Sequence, residues 1–320
     1  SKLGKVNEAS GNFVAEGRSR GRRLTKFPAL FGALKDRGGE EMFPEEFLER
    51  MRRMLGAEYN AFLESLQEKP CQALRLNSLK MGADGRNAAE AFGTQNESCG
   101  TGETNCPGER AVKSFARLEK VPWAEDGYYY DEGDRPGKHP YHQAGLYYIQ
   151  EPSAMAVAQL LEARPGERIL DLCAAPGGKT TCIAAAMKGR GLLFCNEIHP
   201  VRARILSENI ERMGIVNACV ANEAPGHLAE VFSGFFDRIL VDAPCSGEGM
   251  FRKNEEARME WSLENVAACV RRQEEILDCA AEMLRPGGRL VYSTCTFAPE
   301  ENEGTISSFL ERHGEYKVLP

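Results

Sequence analysis

The stretch ERILDLCAAPGGKT, Glu167 to Thr180, decides the fold. Arg168 to Leu172 is a short apolar run of strand length. Cys173 to Gly178 is a tight turn of small residues, and Lys179 opens a helical pattern that continues to Met187. A strand that feeds such a turn and then a helix is the opening unit of a parallel α/β sheet. Ligands of these sheets sit at the carboxyl ends of the strands, where this turn falls.

Downstream the pattern repeats. Gly191 to Asn196 reads as a strand, Pro200 to Met213 as a helix, Ile215 to Ala221 and Phe236 to Val241 as strands, and Leu263 to Leu284 as a long helix. RPGG (Arg285 to Gly288) turns into a strand over Arg289 to Ser293. Glu300 to Glu311 reads as a helix, and Tyr316 to Leu319 as the start of a sixth strand. Strands alternating with helices predict an α/β, doubly wound parallel sheet, and right-handed crossovers leave few topologies for it.

Upstream, Gly145 to Glu151 reads as extended, and Pro152 starts a helix through Ala163. Phe47, Leu48, Met51 and Leu55 recur at helical spacing behind Pro44, which suits a first helical position. Gly56 breaks that helix, and a second runs from Glu58 to Glu68. ALRLNSLK (Ala73 to Lys80) alternates as a strand would, and Phe115 to Leu118 and Tyr128 to Tyr130 read as two more. The polar stretch Gly93 to Arg110 reads as a surface loop in which Cys99 and Cys106 are incidental. The predicted organisation is a basic arm over 1–41, a smaller α+β domain over 42–142 and the sheet domain over 143–320. The GRSRGRR run of the arm (Gly17 to Arg23) reads as a solvated basic tail before it reads as an RNA contact.

The chain has 320 residues, a net charge of -7 and eleven cysteines. No apolar run is long enough to span a bilayer and no signal-peptide core is present, so a cytoplasmic protein is expected. The cysteines lack a regular framework and read as reduced thiols, and no ligand spacing suggests a metal. The acidic balance excludes a protein that coats nucleic acid with its whole surface but not one with a local basic groove.

The turn Cys173-Ala174-Ala175-Pro176-Gly177-Gly178-Lys179 nearly fits a phosphate loop. However, Cys173 stands where that loop has its first glycine, and CAAP is too bulky for a cradle of inward amides. The other ligand such a turn admits is a small nucleoside cofactor whose ribose is held by an acid after the second strand. Glu197 stands there. This combination, without a dinucleotide glycine pattern, points to S-adenosyl-L-methionine.

Cys245 follows the fourth strand and Cys295 the fifth. Neighbouring parallel strands lie about 4.8 Å apart, so both thiols should reach the same sheet edge, close together. A lone cysteine is ordinarily core filler. Two at the carboxyl edge beside a methyl donor suggest covalent catalysis: a thiolate adds to C6 of a pyrimidine and makes C5 nucleophilic. C5 accepts the methyl group, and a base removes the C5 proton so that the thiol leaves.

DLCAAPGGKT, DAPCSGEG and YSTCT, in that order, resemble the RNA cytosine-5 methyltransferases of the Sun/Nop family, of the bacterial RsmB/RsmF type. YYIQEPSAM (Tyr147 to Met155) and the FRK after DAPCSGEGM look most like the RsmF branch. The resemblance covers about Phe43 to Pro320. It implies a class I, Rossmann-like methyltransferase sheet. By position it makes Cys295 the nucleophile, Cys245 the second thiol that assists release, and Asp242 the acid beside the cofactor that hydrogen-bonds the cytosine edge. It also makes the turn from Cys173 to Lys179 the methionine site, Glu197 the ribose acid, and Asn222 the residue near adenine. Arg75 and Asn77 correspond to an RNA-facing strand, and Arg252 and Lys253 follow the active loop toward phosphates.

The resemblance implies a sheet that ends in a seventh, antiparallel strand and, in RsmF-like proteins, an added RNA-binding domain; neither is expected within these 320 residues. The implied partner is RNA, ribosomal ahead of transfer RNA, bound by a monomer without membrane or metal. The alternatives are a P-loop-like nucleotide hydrolase and a non-catalytic RNA-binding or ribosome-assembly factor.

Overall fold

The computed structural model describes residues 43–80, 115 and 118–319. The basic arm and the polar loop with Cys99 and Cys106 lie outside the described residues. Along the chain come helices α1 (Glu45–Leu55) and α2 (Tyr59–Gln67), then strands β1 (Ala73–Leu76), β2 (Leu118–Lys120), β3 (Gly127–Tyr130) and β4 (Tyr147–Ile149). Helix α3 (Pro152–Leu160) leads into β5 (Arg168–Asp171), α4 (Gly178–Met187), β6 (Leu192–Asn196), α5 (Pro200–Met213), β7 (Ala218–Ala221), α6 (Pro225–Val231) and β8 (Phe236–Asp242). The last elements are α7 (Glu255–Glu260), α8 (Leu263–Met283), β9 (Leu284–Ser293) and α9 (Thr305–Arg312).

Two compact units account for these elements. A sheet unit takes in Cys71–Ala243 and Ile276–Tyr292; a helical unit takes in the described residues up to Pro70, Pro244–Glu275, and those from Ser293 onward. The expected boundary at 142/143 is not where compactness divides the chain.

The sheet unit holds five strands in the order β7-β6-β5-β8-β9. β5 pairs in parallel with β6 and β8, and β6 with β7. The chain leaves β5 toward one edge through β6 and β7, then returns to β8 on its other side. That reversal makes the carboxyl end of β5 the switch point where doubly wound sheets take ligands. Ile169 and Leu170 of β5 are fully buried, as are Ile183, Leu193, Leu206 and Leu240 around them. A strand covered on both faces reads as continuous apolar sequence, which is why RILDL shows no alternation.

The same unit holds a four-stranded antiparallel sheet in the order β2-β3-β1-β4. All four residues of β1 are buried, so its alternating sequence does not mark one wet face. This corrects the reading of Arg75 and Asn77 as RNA-facing. Arg75 is 3% exposed; its Nε donates to Gln150 Oε1 (3.2 Å) and its Nη2 to Thr181 Oγ1 (2.6 Å). Asn77, 2% exposed, donates from Nδ2 to the carbonyls of Gly145 and Met213, both at 2.8 Å. Buried polar groups need such partners, and these are internal. Arg75 thus ties the small sheet to the first turns of α4.

In the helical unit Phe47 is fully buried, with ring neighbours Phe43, Phe62, Phe251 and Trp261 at 5.0–6.4 Å between centroids. Leu48, Met51 and Tyr59 share this core with Val266 and Ala298. The apolar stripe of α1 is therefore buried against the segments that follow β8 and β9. Tyr316 to Leu319 forms no strand. Tyr316 instead packs its ring 5.1 Å from that of Phe309 on α9 and donates its amide to His313 O. Helix α6, between β7 and β8, was not legible in the sequence pattern.

Candidate active site

Two sets of functional side chains stand out, one in each unit. In the sheet unit, the chain leaves β5 at Asp171 and turns through Leu172 to Gly177 before α4. Gly177 caps α4 at φ +111, a conformation that favours glycine, and the Ala175–Pro176 peptide is cis. The turn is pinned from outside. Arg202 Nη2 donates to Ala175 O and Asn209 Nδ2 to Pro176 O, both at 2.8 Å, while the Ala174 amide donates to Asn196 O. Burial pushes the Cys173 thiol up, so it stays protonated and its place in the turn is that of a small side chain.

Asp171 is fully buried. Its Oδ2 accepts from Thr180 Oγ1 (2.7 Å), and its Oδ1 has no hydrogen-bond partner among the described residues. Burial, opposed by the Thr180 hydrogen bond, pushes this carboxyl up to about 7. A buried acceptor without a donor fits a site completed by a cationic or N–H-bearing ligand. Lys179 Nζ donates to Asp242 Oδ2 at 2.7 Å, so the first residue past the glycines is joined to the end of β8.

Glu197, 3% exposed, accepts from the His199 amide at 3.0 Å and pairs with Arg202 at 3.3 Å. Arg202 therefore bridges the acid and the turn. Asn222 is exposed and donates from Nδ2 to the carbonyls of Glu197 and Ile198, at 2.7 and 2.8 Å, which leaves its side-chain oxygen as the group that can accept from an amine. The turn, Glu197 and Asn222 are thus linked by direct hydrogen bonds or by Arg202. These residues fit S-adenosylmethionine: an unsatisfied buried acceptor for an ammonium, a buried acid for a diol, and a carbonyl for an adenine amine.

In the helical unit the two cysteines meet. Cys245 Sγ lies 3.1 Å from Cys295 Sγ, and the Cys295 amide donates to Cys245 Sγ at 3.3 Å. Cys295 is exposed and Cys245 half-buried. The hydrogen bond to Cys295, with burial, pushes the Cys245 thiol well up, so it keeps its proton at neutral pH. Two buried glutamates that sequence reasoning missed brace the loops. Glu301 accepts from the Ser246 amide and hydroxyl and from Gln273 Nε2, whose amide also donates to Pro244 O. Glu248 accepts from Arg50, Trp261 Nε1 and the Phe297 amide. Each glutamate thus braces the loop of the other cysteine. Arg252 is half-buried and Lys253 exposed, in the turn that follows. None of the nine cysteines among the described residues is in a disulfide. No helix among those residues is long and apolar enough to cross a membrane, and no group of three or more His, Cys, Asp or Glu there could hold a metal ion.

A family model described as 16S rRNA methyltransferase RsmB/F matches residues 158–320, and one for the N-terminal domain of 16S rRNA methyltransferase RsmF matches 43–99 and 104–152. The chain belongs to the RsmB/F family. This is a family of S-adenosylmethionine-dependent methyltransferases, and its two models divide the chain between residues 152 and 158. The chain is 37% identical over 288 residues to ribosomal RNA small subunit methyltransferase F of Klebsiella pneumoniae strain 342, which covers 87% of this chain and 56% of that protein. It therefore spans little more than half the length of its curated RsmB/F relatives. Among solved structures, a methyltransferase homolog protein from Pyrococcus horikoshii superposes with a TM-score of 0.69 at 29% identity, over 84% of this chain and 79% of that one. NSun6 from Pyrococcus horikoshii, solved with SFG, an S-adenosylmethionine analogue, has a TM-score of 0.70 at 22% identity over 85% and 88%, and shares the fold.

Proposed function

We propose that this protein methylates C5 of a cytosine in RNA, ribosomal RNA ahead of transfer RNA, through a covalent bond between Cys295 and C6 of the base. The observation that carries this reading is the pair of thiols, not joined in a disulfide, 3.1 Å apart on two braced loops. Family membership favours methyl transfer over nucleotide hydrolysis. The relatives are named as small-subunit rRNA methyltransferases, which favours ribosomal RNA.

S-adenosylmethionine, when bound, supplies an electrophilic methyl group. The chain's own residues do the rest. Asp171, Glu197 and the 173–179 turn hold the cofactor, and Asn222 receives its adenine end. Cys295 Sγ, as thiolate, bonds to C6 and pushes electron density to C5, while Asp242 hydrogen-bonds the cytosine edge. Cys245 keeps its proton and donates to the sulfur of Cys295. Once C5 carries the methyl group and a base has taken its proton, the Cys295–C6 bond breaks. The electron pair returns to Cys295 as a thiolate, which the Cys245 S–H stabilises. The base must be unpaired or turned out of its stack, because the thiolate approaches C6 from the ring face. Arg252 and Lys253 then meet phosphates on the flanking strand.

The test is incubation with methyl-labelled S-adenosylmethionine and unmodified small-subunit rRNA, followed by nucleoside analysis. Label in 5-methylcytidine is expected. Label in another nucleoside refutes the C5 reading, and RNA bound with no label refutes it and leaves the binding-factor alternative.

A further inference from the structure

We infer that Glu248, held by Arg50 of α1, is a positioning residue for the nucleophile; this rests on the reading of Cys295 given above. Glu248 does not touch the reacting sulfur. Its carboxylate is fully buried and divided between two tasks. Oε1 accepts from Arg50 Nη2 and from Trp261 Nε1 at 2.9 Å. Oε2 accepts from the Phe297 amide at 3.0 Å, and the amide of the next residue, Gly249, donates to Cys295 O at 2.8 Å. Glu248 and Gly249 therefore clamp the backbone at residue 295 and again at residue 297. The Cys295 side chain is left exposed at the first of these two fixed points.

Arg50 holds the clamp from the other side. It is 6% exposed and stacks over the rings of Trp261 and Phe47 at 5.6 and 5.8 Å. Its Nε and Nη1 are buried without hydrogen-bond partners among the described residues, so Glu248 offsets most of the cost of burying this cation. The carboxylate is thus fixed by a cation and an indole before it meets the catalytic loop. Misplacing a reacting atom by ~1 Å costs about a hundredfold in rate. A clamp on the nucleophile's backbone acts on that term, not on cofactor binding.

Glu248→Gln alone would leave Arg50 with only the longer, exposed contact to Glu300 at 4.0 Å and turn an N–H toward either Arg50 or the Phe297 amide. The test therefore uses two variants that do not strip Arg50 of its buried partner. Arg50→Met with Glu248→Gln removes both charges together. Gly249→Ala leaves the buried pair intact but places a Cβ 2.8 Å from Cys295 O, which forces the clamp open at an exposed position. Methylation of unmodified small-subunit rRNA and the rate of covalent protein–RNA adduct formation are measured beside the wild type and an exposed control, Glu303→Gln. The expected result is a kcat and adduct rate about 10- to 100-fold lower in both variants, KM for S-adenosylmethionine within about twofold, and an unchanged control. Wild-type kcat in Gly249→Ala, or in the folded double variant, overturns the inference. A wild-type protein that forms no adduct and no 5-methylcytidine overturns the function reading itself and this inference with it.

Discussion

Gly177→Ala separates strain in the turn proposed to hold the cofactor from strain elsewhere in the sheet unit. Gly177 sits at φ +111, and an added Cβ would stand 3.2 Å from Leu206 Cδ1 and 3.6 Å from Asn209 Cβ. The leucine contact is with the end of a flexible side chain and adds little. The backbone term dominates, at about 1–3 kcal/mol for a non-glycine residue in such a region. The turn can relieve it only by rotating, which draws the carbonyls of Ala175 and Pro176 off Arg202 and Asn209. Stability to urea should fall by about 2 kcal/mol. Affinity for S-adenosylmethionine should fall about 10- to 30-fold, at about 1.4 kcal/mol per tenfold. Gly166→Ala is the comparator: φ is +93, nothing lies within 4 Å of the added Cβ, and the position is exposed. It should lose similar stability and keep wild-type affinity. The assays are urea unfolding and calorimetric titration with S-adenosylmethionine. A Gly177→Ala protein that is destabilised yet binds as tightly as wild type would refute the assignment of this turn to the cofactor.

Phe47→Ala removes the centre of the helical core and should cost about 3–5 kcal/mol; alkylation of Cys295 and Cys245 should quicken, and an unchanged melting temperature would contradict the packing described. The folded pKa of Asp171, about 7, lies above that of an unfolded aspartate, so its contribution to stability is full below about pH 4 and lost as pH rises through 7. Asp171→Asn should therefore be more stable than wild type at pH 8, by roughly 4 kcal/mol, with the gap closing toward pH 4 in denaturant titrations. Arg202→Met removes the bridge between Glu197 and Ala175 O, two polar contacts worth about 1 kcal/mol each, and should weaken S-adenosylmethionine about tenfold in the same calorimetry and lower the melting temperature by several degrees; wild-type affinity would contradict the bridging role.

Much of the sheet unit was legible because its signals are local. The strand-turn-helix from Arg168 to Met187 and the helix over Pro200–Met213 follow from apolar runs and glycines; the proximity of Cys245 to Cys295, in the helical unit, follows from strand order. What escaped was long-range. The resemblance of ALRLN to an RNA-facing strand did not carry over to Arg75 and Asn77, whose side chains are held inside by Thr181 and by the Gly145 and Met213 carbonyls. Helices α1 and α2 were assigned to the strands that follow them, yet they share a core with Phe251, Trp261 and Ala298, some 200 residues on. Glu248 and Glu301 were passed over because a glutamate among SGEG or PEENE reads as surface. Their burial depends on donors from Arg50, Ser246 and Gln273, which only the folded chain collects. Tyr316 had the apolar character of a strand start but was captured by the aromatic face of Phe309.

The two-cysteine mechanism stands or falls on a denaturing gel of protein incubated with S-adenosylmethionine and unmodified small-subunit rRNA. Cys245→Ala should show a protein–RNA band that survives denaturation, because Cys295 can bond to C6 but leaves slowly without the neighbouring thiol. Wild type should show little of that band, and Cys295→Ala none, with no methylation. A denaturation-resistant band in Cys295→Ala, or methylated cytosine from that variant, would contradict the mechanism.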